Sequence, residues 1–263
     1  MDREAKIRAF GDELYEALRS RNTIPQLTAR WPEITIDDAY HISTHLVRRR
    51  VEEDGEKIIG KKIGVTSKAV QEMLNVHQPD FGFLTDAMFY ENGASLPAST
   101  ELIQPRVEGE IAFVLKKSLR GPGVTDEEVI EATEYIAPCF EIVDSRVHDW
   151  KVKIQDTVAD NASCGLFLLG DAKVDPRGVD FPNLHMRVTK NGQPLSEGYG
   201  RAALGSPVHC VTWLANTLGE FGITLDAGDI VLSGSLVPLE PVKAGDECSL
   251  TIEGIGSATV KFI

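Results

Sequence analysis

The spacing of apolar residues changes once along this chain, near residue 101, and that change limits the fold more than any other feature. Before it, Ile7, Phe10, Leu14 and Leu18 recur at steps of three and four, which is one stripe of a helix facing a core. Thr35 and Asp38 form a T-x-x-D capping pair ahead of a second helix through Ala39, Ile42 and Leu46, which runs into the charged stretch from Arg48 to Asp54. After it, Val107, Ile111, Phe113 and Leu115 alternate with Glu108, Glu110, Ala112 and Val114, the period of two expected of a strand. Short strand-like runs recur at 139–143, 166–169, 184–189, 230–232, 248–252 and 258–263, and Asn191-Gly192 predicts a tight hairpin turn. Helices interrupt them only behind Thr125 and Glu128 and from Ser206-Pro207 to Gly222. The expected class is α+β, with a mostly helical N-terminal domain over residues 1–100 and a β-rich domain over 101–263. One strand is expected inside the first part, Ile58 to Val65, and the QPDFG segment at 78–82 is expected to form a tight loop.

A chain of 263 residues can bury a core without disulfides or a structural metal. The balance of 40 acidic against 27 basic residues leaves a net charge of −13, which repels phosphate backbones and anionic lipid, so nucleic acid and membrane surfaces are excluded as expected partners. No apolar run reaches the roughly 18 residues of a membrane span, and the first residues lack a signal-peptide pattern. Cys139, Cys164, Cys210 and Cys248 are far apart and form no CxxC pair, as suits buried, reduced thiols. The chain is therefore expected to be soluble and cytoplasmic. Its six histidines are scattered and give no HExxH pattern.

Chemistry is concentrated in acids. Glu108 and Glu110 are two apart on a strand, so both carboxylates point to one face, and Gly109 leaves room for a ligand or a neighbouring strand. An isolated pair of this kind is most simply an exposed, salt-bridged strand face, with Arg106 on the same side as a partner. Glu141, however, sits between Phe140 and Ile142 in a run apolar enough for an interior strand, where an ionised carboxylate needs compensation. Three glutamates converging at roughly 4 Å in an effective dielectric near 20 would repel by about 4 kcal/mol per pair, on the order of 10 kcal/mol in all. Such a cost approaches the roughly 5 to 15 kcal/mol that stabilises a whole domain. Protonation or a divalent cation must offset it, and an all-oxygen set suits Mg²⁺ or Mn²⁺. Lys62, in the apolar strand IIGKKIGV, and Asp80, beside Pro79, form a second candidate set for cationic or acid/base work, although a solvated lysine and a plain turn residue would read the same. Ser235 in GSLVP has no Ser-His-Asp grammar around it, which argues against a serine hydrolase.

Six segments in order, IGKKIGVTS (59–67), HQPDFGFLTD (77–86), IQPRVEGEIAF (103–113), PCFEIVDSR (138–146), VADNASCG (158–165) and LSGSLVPLEPVKAGD (232–246), resemble the 2-hydroxypenta-2,4-dienoate hydratases of aromatic meta-cleavage pathways. These are also called 2-oxopent-4-enoate hydratases. The resemblance implies the fumarylacetoacetate hydrolase fold, whose C-terminal part is a mixed β-roll or sandwich holding a divalent metal on three carboxylates. By position these are Glu108, Glu110 and Glu141. It further implies a catalytic lysine at Lys62, flanked by Gly60 and Gly64, an acid at Asp80, and substrate or water contacts from Asn161 and Ser163. The implied activity is Mg²⁺- or Mn²⁺-dependent hydration to 4-hydroxy-2-oxopentanoate by a homo-oligomer, with 4-oxalocrotonate decarboxylase as an associated partner. Three alternatives stay open: that decarboxylase itself, a hydratase of a longer dicarboxylic substrate, and a non-catalytic binding protein of the same fold. An apolar residue is expected at the position of Asp80 in the decarboxylase, so the acid favours water addition. A C–C hydrolase would need a histidine-activated water, and no histidine falls in the acidic segments.

Overall fold

Helix α1 (Arg3–Ser20) starts where the Asp2 carboxylate accepts a hydrogen bond from the Ala5 amide, and its buried face carries Leu14, Tyr15 and Ala17. After the short α2 (Leu27–Arg30), α3 (Ile36–Glu53) opens on the anticipated box, with Thr35 Oγ1 accepting from the Asp38 amide and the Asp38 carboxylate accepting from the Thr35 amide. These elements belong to a computed structural model that describes residues 2–74 and 76–263. The strand β1 (Ile58–Gly64) and helix α4 (Lys68–Leu74) follow, then β2 (Asp80–Thr85), β3 (Phe89–Glu91), β4 (Ser95–Leu96) and α5 (Ala98–Glu101). Beyond residue 101 come β5 (Arg106–Leu115), α6 (Asp126–Ala132), β6 (Thr133–Val143), α7 (Ile154–Ala159), β7 (Cys164–Leu169), β8 (His185–Lys190) and β9 (Gln193–Tyr199). The chain ends with α8 (Pro207–Glu220), β10 (Ile230–Leu232), β11 (Glu240–Pro241), β12 (Glu247–Ile252) and β13 (Gly256–Phe262).

The strands form two mixed sheets. The larger runs β2-β1-β10-β5-β6-β7-β3, with β11 also on β5, and the smaller runs β4-β13-β12-β8-β9. Strands β12 and β13 lie against β6, so the sheets share a core that includes Phe140, Leu250 and Val260. Asn191 and Gly192 both take positive φ, 53° and 75°, as the turn between β8 and β9 requires. The α+β class is as expected, but strands β1 to β4 all precede residue 100 and enter both sheets, so each sheet draws on both sides of the change in spacing. The QPDFG segment also differs from expectation. Asp80 opens β2, which pairs with β1 along its length and is buried at every residue. Backbone pairing with β1 is what lets the DFGFL run be buried, and the turn is confined to the residues ahead of it. Among the described residues, no helix is long and apolar enough to cross a membrane.

Candidate active site

Strands β5 and β6 pair in the register that sets Glu108 directly opposite Glu141. Opposed residues in a sheet share a face, as do residues two apart, so Glu108, Glu110 and Glu141 converge, each offering an oxygen within 4.8 Å of the others. Gly109 turns the other way, where a Cβ would overlap Met186 Sδ of β8 and come within 3.2 Å of Val237. The glycine therefore admits the second sheet and not a ligand. Arg106 forms no ion pair with either glutamate, so the salt-bridged surface reading of this strand does not hold.

Glu110 and Glu141 are each 1 % exposed. Glu110 Oε2 accepts from the Gly234 amide at 2.9 Å, but Glu110 Oε1 and both Glu141 oxygens have no hydrogen-bond donor. Lys62 Nζ lies 3.1 Å from Glu141 Oε1, off the hydrogen-bonding direction. Burial, followed by the charge of Glu141, pushes the Glu108 carboxyl up to about 7 and the Glu110 carboxyl well above the carboxylate range. Three converging acids against one ammonium leave an uncompensated site with orphaned oxygens aimed at a common point. Hard oxygen donors in excess charge fit a divalent cation.

Lys62 and Asp80 come together through the β1–β2 ladder. Gly64 pairs with Asp80 and Lys62 with Gly82, which places both side chains on one face. A Cβ on Gly64 would overlap Asp80 Oδ1 and lie 3.3 Å from Lys62 Nζ, so the glycine makes the space in which they meet. Burial would lower the lysine, but Glu141, Cys164, Asp80 and Glu108 outweigh it and hold the ammonium charged. Asp80, pushed up mainly by burial and drawn down by Lys62, reaches about 6. The neighbouring Lys61 points to the opposite face and pairs with Asp229 at 2.6 Å, which settles which of the two lysines faces inward.

These groups border a cavity of about 380 Å³, lined by Lys62, Asp80 and Glu108 and by apolar side chains including Val70, Val152 and Leu239. Ser163 lines it too, with Oγ 3.3 Å from Thr157 Oγ1. Asn161 does not. Its side chain is fully buried, accepting from the Phe83 amide at 2.8 Å and donating to the Phe83 carbonyl at 2.9 Å, so it grips β2 instead of a ligand. The substrate contact expected of Asn161 is thus replaced by a positioning role for the strand that carries Asp80. Asn161, Ala162 and Ser163 all adopt positive φ, a strained run that must be held in place. Arg146 holds it, donating Nε to Asp160 Oδ1 at 2.5 Å and its terminal nitrogens to the carbonyls of Asp160 and Cys164, at either end of the run. Sequence reasoning did not single out Arg146 or Asp160; their signal was only that DSR and VAD stand inside two of the resembling segments, and Trp150, between those segments, gave none.

The family model described as fumarylacetoacetate (FAA) hydrolase C-terminal matches residues 57–263. A 2-hydroxyhexa-2,4-dienoate hydratase of Comamonas testosteroni is 60 % identical over 97 % of this chain and 97 % of its own. A 2-hydroxypent-2,4-dienoate hydratase of Pseudomonas putida is 65 % identical over 82 % of this chain and 97 % of its own. Among solved structures, a 4-oxalocrotonate decarboxylase from Pseudomonas putida G7, complexed with magnesium and adipate, superposes with a TM-score of 0.94 and 36 % identity, covering 100 % of this chain and 99 % of that one. The chain belongs to the FAA hydrolase family and, within it, to the group of 2-hydroxy-2,4-dienoate (2-keto-4-pentenoate) hydratases.

Proposed function

We propose that this chain is a hydro-lyase that adds water to 2-hydroxypenta-2,4-dienoate to give 4-hydroxy-2-oxopentanoate in aromatic meta-cleavage degradation. The observation that carries the reading is a buried carboxylate triad whose Glu108 shares one cavity with Lys62 and Asp80, in a chain 60 to 65 % identical to hydratases of such dienoates. Glu108, Glu110 and Glu141 would hold Mg²⁺ or Mn²⁺, and the bound ion would polarise the carboxylate and 2-oxygen of a 2-oxo acid. Solved relatives are described as complexed with magnesium, calcium or manganese.

The side chains supply the rest. Ketonisation moves a proton to C5 and leaves an unsaturated 2-oxo acid; water then bonds to C4 and a second proton reaches C3, so one water is consumed in all. Asp80, which burial pushes up to about 6, carries the proton. Lys62 stays an ammonium beside Glu141 and Asp80 and stabilises negative charge developing on the 2-oxygen. Ser163, on the cavity wall, orients water or substrate. Identity favours hydration over decarboxylation, 60 to 65 % against 36 %. The reading includes a cytoplasmic homo-oligomer able to associate with the decarboxylase.

Incubation with Mg²⁺ and 2-hydroxypenta-2,4-dienoate, and separately with 4-oxalocrotonate, tests the assignment by ultraviolet absorbance and gas release. Loss of dienoate absorbance with formation of the hydroxy-oxo acid is expected. Carbon dioxide release from the second substrate without hydration of the first would reverse it.

A further inference from the structure

Arg106 opens β5 and lines the active cavity, yet it pairs with no carboxylate among the described residues. Arg106 is half-buried, and the fully buried cations among the described residues are each matched: Lys61 with Asp229, Lys62 with Glu141, Arg50 with Glu56, Arg146 with Asp160. In a chain with thirteen more acids than bases, an arginine left over beside a cluster of glutamates is reserved for something that is not part of the protein. It is also held in place. The guanidinium lies 4.9 Å from the Trp150 ring centroid, and Trp150 Nε1 donates to the Gln104 carbonyl at 2.9 Å, which ties the platform to the segment leading into β5. Trp150 and Asp149 keep positive φ of 55° and 54°, a strained arrangement that aims the indole into the cavity. Asp149, the acid nearest in sequence on the cavity wall, is bridged to Lys151 at 3.2 Å and not to Arg106.

Order along the sheet gives the arginine a direction. Ala112, Glu110, Glu108 and Arg106 are alternate residues on one face of β5, about 7 Å apart. The backbone of Lys62 is level with Ala112 through Leu232, but its Nζ reaches Glu141 Oε1 at 3.1 Å, opposite Glu108. The Lys62 ammonium therefore meets the triad, and Arg106 lies one step beyond Glu108 on the side away from Glu110. We propose that Arg106, presented on Trp150, binds the C1 carboxylate of the substrate at the edge of the carboxylate triad, so that the 2-oxygen lies toward the triad and Lys62. This rests on the hydratase reading and adds the orientation of the substrate and a group that selects for its carboxylate.

The test compares wild type, Arg106→Met, Arg106→Lys and Trp150→Leu, each loaded with Mg²⁺. Three measurements are made: Mn²⁺ titration, steady-state hydration of 2-hydroxypenta-2,4-dienoate, and calorimetric binding of 2-oxopentanoate against its uncharged amide. Arg106→Met is expected to raise KM about ten- to a hundredfold, with kcat changed much less and Mn²⁺ binding intact, and to reduce the preference for the carboxylate over the amide. Arg106→Lys should recover part of the affinity, and Trp150→Leu should shift KM in the same direction by less. Unchanged KM and unchanged acid-over-amide preference in Arg106→Met would overturn the proposal, as would a defect confined to dicarboxylic dienoates, which would place the arginine at the far end of the substrate. Failure of the wild type to hydrate the dienoate would count against the hydratase reading, whereas the 2-oxopentanoate arm tests Arg106 independently of turnover.

Discussion

Glu141 has two buried oxygens without a hydrogen-bond donor and faces Glu108 across the sheet, so a neutral amide in its place removes both a ligand and a repulsion. Glu141→Gln and Glu108→Gln are each expected to lower turnover by about 10² to 10³ fold while the metal-free form keeps or gains thermal stability; circular dichroism melts and assays of the same samples check both halves. The pH dependence has a definite sign. With Glu108 pushed up to about 7 and Glu110 raised well above the ordinary carboxylate range, the ion-free site holds protons at neutrality that a cation must displace. Carboxylates whose pKa is raised on folding favour the folded state below their unfolded value and lose that contribution as pH rises through the folded value, so the ion-free protein weakens toward pH 8. Metal affinity should run the opposite way, tightening from pH 6 to pH 8 with proton release, which calorimetry in buffers of different ionisation enthalpy measures. Pairwise repulsion was enough to read this from the sequence once Glu108, Glu110 and Glu141 were considered together. Their meeting depended on a cross-strand register that no local pattern encodes.

At the scale of elements, two glycines and one buried arginine decide where the side chains arrive. Gly64→Ala would drive a methyl group into Asp80 Oδ1 and crowd Lys62, so turnover should fall by roughly 10² fold with little loss of metal binding, measured by Mn²⁺ titration beside the assay. Arg146→Met leaves Asp160 buried and unpaired and releases the strained run that holds Asn161 against β2; a loss of roughly 3 to 5 kcal/mol in denaturant unfolding is expected. The helices α1 and α3, the capping boxes at Thr35 and Thr125, and the strands β5, β10 and β12 were legible because their signals are local: periodicity, caps and turn residues. Strand β2 was not. Its Pro-Asp start looks like a turn, and only pairing with β1, settled far from any local preference, makes Asp80–Thr85 extended. Asn161 was read as a ligand contact for a related reason, since a polar residue at a motif position does not reveal whether it faces the cavity or the backbone of Phe83.

For the whole molecule, the parallel pairing of β1 with β10 and the antiparallel pairing of β10 with β5 bring Lys62 from the first part of the chain beside the carboxylates of the second. The site therefore exists only when both parts are assembled, and ion binding should stabilise the entire fold instead of one lobe. At a hundredfold excess over its dissociation constant a bound cation contributes about 2.7 kcal/mol, which for a chain of this size raises the melting temperature by several degrees in a single transition. The most direct measurement strips the protein with a chelator and titrates Mn²⁺ back into wild type, Glu108→Gln, Glu110→Gln and Glu141→Gln, following bound ion by electron paramagnetic resonance and dienoate hydration in the same tubes. One ion per wild-type chain, turnover returning in proportion to it, and loss of both in all three variants is the predicted result; full turnover in the stripped protein, or undiminished ion binding in Glu141→Gln, would contradict it.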